Sequence, residues 1–155
     1  MSVSTDRVAA LDRMLGLALL VNVDMSRGLA ARGLTESRAR LLWELLQRGP
    51  STQRELADAL QVSPRNVTGL VDALVATGFV SREPHPSDRR ATLVRFTELG
   101  AATADALQRD QQEYARVLFD GMPQARLADF VRGLDAVLAR LRELVALDEQ
   151  EADHA

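Results

Sequence analysis

The stretch from Ser63 to Thr97 sets a sharply bounded helix directly before a two-stranded hairpin, and that order restricts the folds open to the chain. Ser63 offers an N-cap hydroxyl, and Pro64 suits the first helical position, where its missing N–H costs nothing. Val67, Leu70, Val71 and Leu74 recur at helical spacing and mark one inward face. Gly78 stops the helix. Two short runs, FVSR and ATLVRF, then read as strands joined by a loop rich in Pro, Ser and Asp. That loop holds Pro84-His85-Pro86, a stiff tip not expected to be strand, with His85 expected to face solvent. Asp88, Arg89 and Arg90 follow.

The segments upstream fit the same unit. Thr35 caps a helix, TESRARLLWELLQRG, whose apolar stripe is read as Leu42, Leu45 and Leu46, and Gly49-Pro50 ends it. Thr52 and Glu55 fit a capping box that opens a short helix with Leu56, Ala57 and Leu60 turned inward. Gln61-Val62 is then a tight turn between two short helices, the spacing of a helix-turn-helix whose second helix enters the major groove of DNA. An arginine-tipped hairpin after that helix completes a winged helix-turn-helix.

On a wheel at about 100° per residue, Arg65, Gly69 and Asp72 turn outward, with Asn66 and Thr68 on the flanks. Arginine pairs bidentately with guanine and asparagine with adenine, and Gly69 lets the backbone come close. Ser63, Thr52 and Gln53 are expected to touch phosphate. Arg90, with Arg89, is expected in the minor groove, whose negative potential attracts arginine. Asp88 is expected to hold an arginine side chain by a charge-assisted hydrogen bond. Asp72 should pair with an arginine or lie beyond the contact zone.

Composition narrows the remaining choices. At 155 residues one structural domain is the default. Cysteine is absent, which removes disulfides, thiolate catalysis and thiol switches. The two histidines, His85 and His154, are too few for a His-rich metal site, so neither metal nor another cofactor is expected. No nucleophile–base pair, carboxylate pair or Gly-rich phosphate loop stands out, so an enzyme is not expected. There is no apolar run of about 18 residues and no signal-peptide layout, and a cytoplasmic location is the expectation. The net charge of −3 conceals a gradient: between residues 51 and 95 six arginines face five carboxylates. What matters for phosphate contact is where those arginines point.

The two ends of the chain carry sustained seams. Val8, Leu11, Leu15, Ala18, Asn22, Met25 and Leu29 step by alternating intervals of 3 and 4, a heptad pattern. Leu127, Phe130, Leu134, Val137, Leu141 and Leu144 repeat it near the C-terminus. So many apolar positions imply helices packed on helices, most economically across a two-fold axis. The expected layout is mainly α, about six helices with a small β-hairpin wing. Residues 1–34 form an N-terminal dimerisation helix, 35–97 the winged helix-turn-helix, 98–148 the C-terminal dimerisation helices and 149–155 a frayed tail. An effector would need a polar anchor in an apolar cleft; Arg13, Met14 and Trp43 are the candidates, each with a packing or surface reading beside it.

These features together resemble the MarR family of transcriptional regulators. The most specific is Asp88-x-Arg90, five further residues, then Phe96-Thr97, which is similar to the family's wing signature with phenylalanine in place of leucine. LVDALVATGFVSR and FTELG also resemble family sequence, and the likeness covers nearly the whole chain. The resemblance implies an obligate homodimer built from the terminal helices and two winged helices on a palindromic operator in double-stranded DNA. It also implies, for many members, release by a small aromatic or phenolic anion. The expected function is therefore a dimeric repressor. The alternative is a winged-helix dimer that serves protein interaction or ligand binding without an operator.

Overall fold

The structure, a computed structural model, describes residues 3–152, with side chains described from 6 to 146. It contains the helices α1 (Val3–Ala31), α2 (Glu36–Arg48), α3 (Gln53–Leu60), α4 (Pro64–Ala76), α5 (Glu98–Leu118) and α6 (Gln124–Ala152). The strands are β1 (Ser51–Thr52), β2 (Val80–Pro84) and β3 (Thr92–Phe96). This is the expected mainly α winged fold. Two compact units are present, Met1–Leu107 and Gln108–Ala155, and α5 begins in the first and continues into the second.

In the first unit, α2, α3 and α4 close around one core. Leu41, Leu42, Leu45, Leu56, Val71 and Leu74 are fully buried there, joined by Val67, Val80 and Val94. The buried stripe of α2 is thus Leu41, Leu42 and Leu45: Leu42 and Leu45 are buried as expected, Leu41 joins them, and Leu46 is only half-buried. The capping predicted for the short helices is present. Thr35, Thr52 and Ser63 each accept a bond from the backbone N–H three residues on. Between α3 and α4 the chain turns through Gln61, whose φ of +54° is the only positive value among the described non-glycine residues.

The sheet has three strands in the order β1-β3-β2, all antiparallel. The sequence shows only the hairpin; β1 is two residues long and pairs Ser51 with Val94 and Thr52 with Leu93. Pro84, expected outside the strand, is its last paired residue, opposite Thr92. It is tolerated because β2 is an edge strand, where the absent N–H breaks no ladder.

The hairpin is joined to the first turn of α5 by close contact. The Thr97 hydroxyl donates to the Gly78 carbonyl at 2.5 Å and accepts from the Gly100 N–H at 3.0 Å. Thr97 N–H also donates to the Phe79 carbonyl at 3.1 Å. A Cβ on Gly100 would lie 1.8 Å from that same oxygen, so the approach depends on glycine.

The apolar faces of the long helices are open. On α1 only Leu29 of the heptad seam is buried, while Leu11 and Leu15 are 53% and 56% exposed. Exposure extends beyond the seam to Leu19, Leu20 and Val23. In the second unit Phe119 packs on Phe130 with ring centroids 6.1 Å apart. Val137, Leu138, Leu141 and Leu144 along α6 remain exposed. α6 continues to Ala152, past the expected helical boundary at residue 148 and into the expected frayed tail; residues 153–155 of that tail, with His154, lie outside the described residues. Among the described residues no helix is long and apolar enough to cross a membrane, and no group of His, Cys, Asp and Glu is placed to hold a metal ion.

Candidate nucleic-acid interface

The outer face of α4 presents Arg65, Asn66, Thr68, Gly69 and Asp72, all exposed, while Val67, Val71 and Leu74 anchor the opposite face in the core. Ser63 caps the helix by accepting from Asn66 N–H at 3.2 Å, so its own hydroxyl hydrogen is left to donate. A Cβ on Gly69 would meet nothing within 4 Å, so a surface approaching from outside comes directly upon the backbone.

Thr52 and Gln53 begin α3, and their polar groups are already engaged. Thr52 N–H and its hydroxyl donate to the Glu55 carboxylate at 2.7 and 2.9 Å. The backbone bond from Thr52, then its hydroxyl, holds the Glu55 carboxyl below the usual carboxylate range. The Thr52 hydroxyl hydrogen is thereby committed to the capping box. Gln53 donates through Nε2 to Thr68 Oγ1 at 3.0 Å and accepts on Oε1 from Arg82 Nε and Nη2 at 3.1 and 2.9 Å. Arg82 Nη2 also donates to Asp72 Oδ1 at 2.5 Å. Asp72 thus meets its expected arginine, and the partner is Arg82, a residue to which the sequence assigned no role. The need of Asp72 for a cation was the one signal that pointed toward it.

The wing tip is organised by backbone bonds. His85 N–H donates to the Ala91 carbonyl at 3.0 Å, closing the loop. The His85 ring is half-buried, and Nδ1 accepts from Ser87 N–H at 3.2 Å and Asp88 N–H at 3.1 Å. It is a structural residue, contrary to the expectation of a solvent-facing one. Asp88 Oδ1 accepts from the Arg90 backbone N–H at 2.9 Å. The carboxylate therefore fixes the arginine's main chain, not its guanidinium as expected; a short aspartate side chain satisfies the N–H two residues on more readily than a distant guanidinium.

Two ion pairs sort the local arginines. Arg82 pairs with Asp72, and Arg95 with Glu83 at 2.8 Å. Among the described residues the guanidinium groups of Arg54, Arg65, Arg89 and Arg90 meet no carboxylate. Arg54, overlooked in the sequence, belongs with the other three.

The candidate effector residues do not converge on a described groove. Arg13 Nη1 donates to the Ala9 carbonyl of its own helix at 2.8 Å, and Met14 and Trp43 are half-buried on α1 and α2. A groove beside α1 is lined instead by Val21, Asn22, Met25, Leu29 and Glu36.

An exposed second helix behind a tight turn, followed by a hairpin with arginines at its tip, defines a winged helix-turn-helix protein. Comparison with known proteins narrows the class. A model of the MarR family matches residues 34–92. The chain is 30% identical over 121 residues to the HTH-type transcriptional repressor IacR of Pseudomonas putida, covering 78% of this chain and 72% of that one. It is 40% identical over 74 residues to the HTH-type transcriptional repressor NicR of Pseudomonas putida, across 48% of this chain and 47% of NicR, about half its length. Its fold matches the crystal structure of the MarR family transcription regulator SP03579 with a TM-score of 0.79, at 20% identity, over 92% of this chain and 95% of the other. The chain belongs to the MarR family of transcriptional regulators and is a DNA-binding regulator of that kind.

Proposed function

We propose that the protein is a homodimeric repressor that binds a palindromic operator, with α4 of each protomer in the major groove and each wing in the adjacent minor groove. The observation that carries this reading is the division of arginines: among the described residues Arg65 on the outer face of α4 and Arg89 and Arg90 at the wing tip are unpaired, while Arg82 and Arg95 on the wing strands are neutralised. Arg65 and Asn66 are the base-reading residues, with Thr68 beside them and Gly69 admitting the backbone. Ser63 and Gln53 donate to phosphate, and Thr52 reaches it only as part of the capping box. Arg90, with Arg89, enters the minor groove, and Asp88 holds the wing backbone in place.

The open apolar faces of α1 and α6 support dimer formation, since a second copy would cover them. Release by a small aromatic anion belongs to the same reading. Such a ligand acts by favouring a half-site separation that does not fit successive turns of the groove.

Binding of the purified protein to DNA upstream of its own gene, followed by fluorescence anisotropy across salt concentrations, tests the proposal. Arg90→Ala should weaken binding by roughly 1–3 kcal/mol and lower the salt slope by about 1 for each wing engaged. Unchanged affinity at fixed salt would remove the wing from the interface, and a flat salt response would contradict phosphate contact altogether.

A further inference from the structure

Four side chains from three elements form one connected network at the centre of the proposed interface. Gln53 opens α3, Thr68 and Asp72 lie one turn apart on α4, and Arg82 stands on β2. The bonds run Thr68–Gln53–Arg82–Asp72, at 3.0 Å, then 2.9 and 3.1 Å, then 2.5 Å. Arg82 therefore touches both helices of the helix-turn-helix from the wing.

The donors and acceptors can be counted through this chain. A guanidinium only donates, so the Gln53 amide must turn its oxygen to Arg82, and the two bonds there occupy both lone pairs. Its nitrogen then faces Thr68 and keeps one N–H spare. The Thr68 hydroxyl gives its hydrogen to the Pro64 carbonyl at 2.8 Å and accepts from Gln53. What remains for an approaching ligand is one donor on Gln53, one lone pair and a methyl group on Thr68, and the two N–H groups of Arg82 Nη1, whose charge Asp72 already matches. A phosphate oxygen accepts and never donates, so the amide is held with its useful end outward.

We infer that Arg82 is a positioning residue for DNA binding: it locks the Gln53 amide in the donor-outward orientation and ties the wing to α4, without itself contacting phosphate. The inference rests on the operator-binding reading above. Without Arg82 the amide loses the partner that fixes its oxygen, and a flipped amide presents that oxygen to phosphate. Asp72 is also left as an unpaired carboxylate beside the DNA. The Arg82 side chain is about one-third exposed and Asp72 more so, so the pair adds little to folding and its loss should leave the fold intact.

The test is a double-mutant cycle in operator affinity, using Arg82→Ala, Gln53→Ala and both together in the full-length protein, each measured across salt. Arg82→Ala should weaken binding roughly tenfold, within the range seen for residues sharing one network. In the Gln53→Ala background the same change should have a smaller effect, limited to the unpairing of Asp72, and the salt slope should stay at the wild-type value in Arg82→Ala. Equal losses in both backgrounds, with a slope reduced by about 0.9 for each protomer, would show Arg82 to be a direct phosphate contact and overturn the inference. Arg82→Lys supplies a second measurement should the alanine variant unfold, because lysine can pair with Asp72 but lacks the fork that holds Gln53. Wild-type affinity for Arg82→Lys would also overturn it. If the wild-type protein binds no upstream DNA, the operator-binding reading itself fails; a wild type that binds, with independent effects of the two substitutions, sinks only the role given to Arg82.

Discussion

Gly100→Ala is the substitution for which the structure gives the most definite expectation. A methyl group on Gly100 would sit 1.8 Å from the Phe79 oxygen, 2.8 Å from its carbonyl carbon and 3.0 Å from Phe96 Cδ1. The nearest atoms are backbone, so no change of rotamer relieves the overlap. Either α5 lifts from the corner between α4 and β2, or Phe79 moves and its bond from Thr97 N–H is lost. Overpacking of this kind costs about 1–3 kcal/mol, and the lost bond about 1 kcal/mol more. Replacing glycine by alanine within a helix returns about 1 kcal/mol. The net expectation is a destabilisation of about 2 kcal/mol, which for a chain of this length lowers Tm by roughly 4–8 °C.

Thermal unfolding followed by circular dichroism at fixed protein concentration measures the shift, and concentration must be held because a dimer's Tm depends on it. Gly69→Ala is the matched control. Its methyl group would meet nothing within 4 Å, so that variant should gain up to about 1 kcal/mol. It should nonetheless bind operator more weakly, because the added methyl group stands between the backbone and DNA. If Gly100→Ala proved as stable as Gly69→Ala, the close packing of α5 against the Phe79 carbonyl would be refuted.

Three further expectations follow from named contacts. The folded pKa of Glu55 is depressed, so the capping box stabilises the fold above the ordinary carboxylate range, and that contribution is lost as pH falls through the lower, folded value. The difference in urea stability between wild type and Glu55→Gln, which keeps the cap but cannot titrate, should therefore shrink on acidification; a difference independent of pH would exclude this linkage. Gln61→Gly relieves a left-handed backbone at φ +54° and should raise stability by about 0.5–1 kcal/mol, read as a higher urea midpoint at constant slope. Leu141→Glu places a charge on the open face of α6, where leucine is 51% exposed, and should dissociate the proposed dimer in sedimentation velocity. A wild-type protein that sediments as a monomer at micromolar concentration would remove the dimer from the proposal.

What the sequence made legible was local. The caps at Thr35, Thr52 and Ser63 need only residues three apart, and the inward face of α4 needs only helical periodicity; both stand in the structure as read. The α2 stripe, right at Leu42 and Leu45 but naming Leu46 where Leu41 is buried, shows the limit of that kind of reading. Both Leu41-Leu42-Leu45 and Leu42-Leu45-Leu46 satisfy the helical period, and only packing against neighbouring elements selects the first. β1 escaped because two residues carry no period of their own, and its partner Val94 lies far along the chain. The same distance hides the Arg82 network. Asp72 announces a need for a cation, but the sequence offers several arginines, and Gln53 lies 29 residues from the one that holds it. Asp88 and His85 failed differently. Their polar groups serve the tip's own backbone, which a charge-based reading of a DNA-binding loop overlooks.

The pairing of charges explains how a chain with a net charge of −3 can present a cationic surface. In the reading region two carboxylates, Asp72 and Glu83, are spent on Arg82 and Arg95, and those four charges cancel within the protein. Glu55 and Asp88 keep their charge but direct it at N–H groups of their own backbone. Among the described residues Arg54, Arg65, Arg89 and Arg90 have no such commitment. The formal excess is small, yet the two signs differ in freedom: four of the five carboxylates are fixed by short local bonds, with only Asp58 exposed on α3 without one among the described residues, while the four arginines are on long side chains that can follow a phosphate backbone. Net charge counts both equally, whereas a polyanion within a Debye length of about 8 Å responds to the groups nearest it. An acidic protein can therefore carry a DNA-reading face, provided that most of its local acids are held by its own hydrogen bonds.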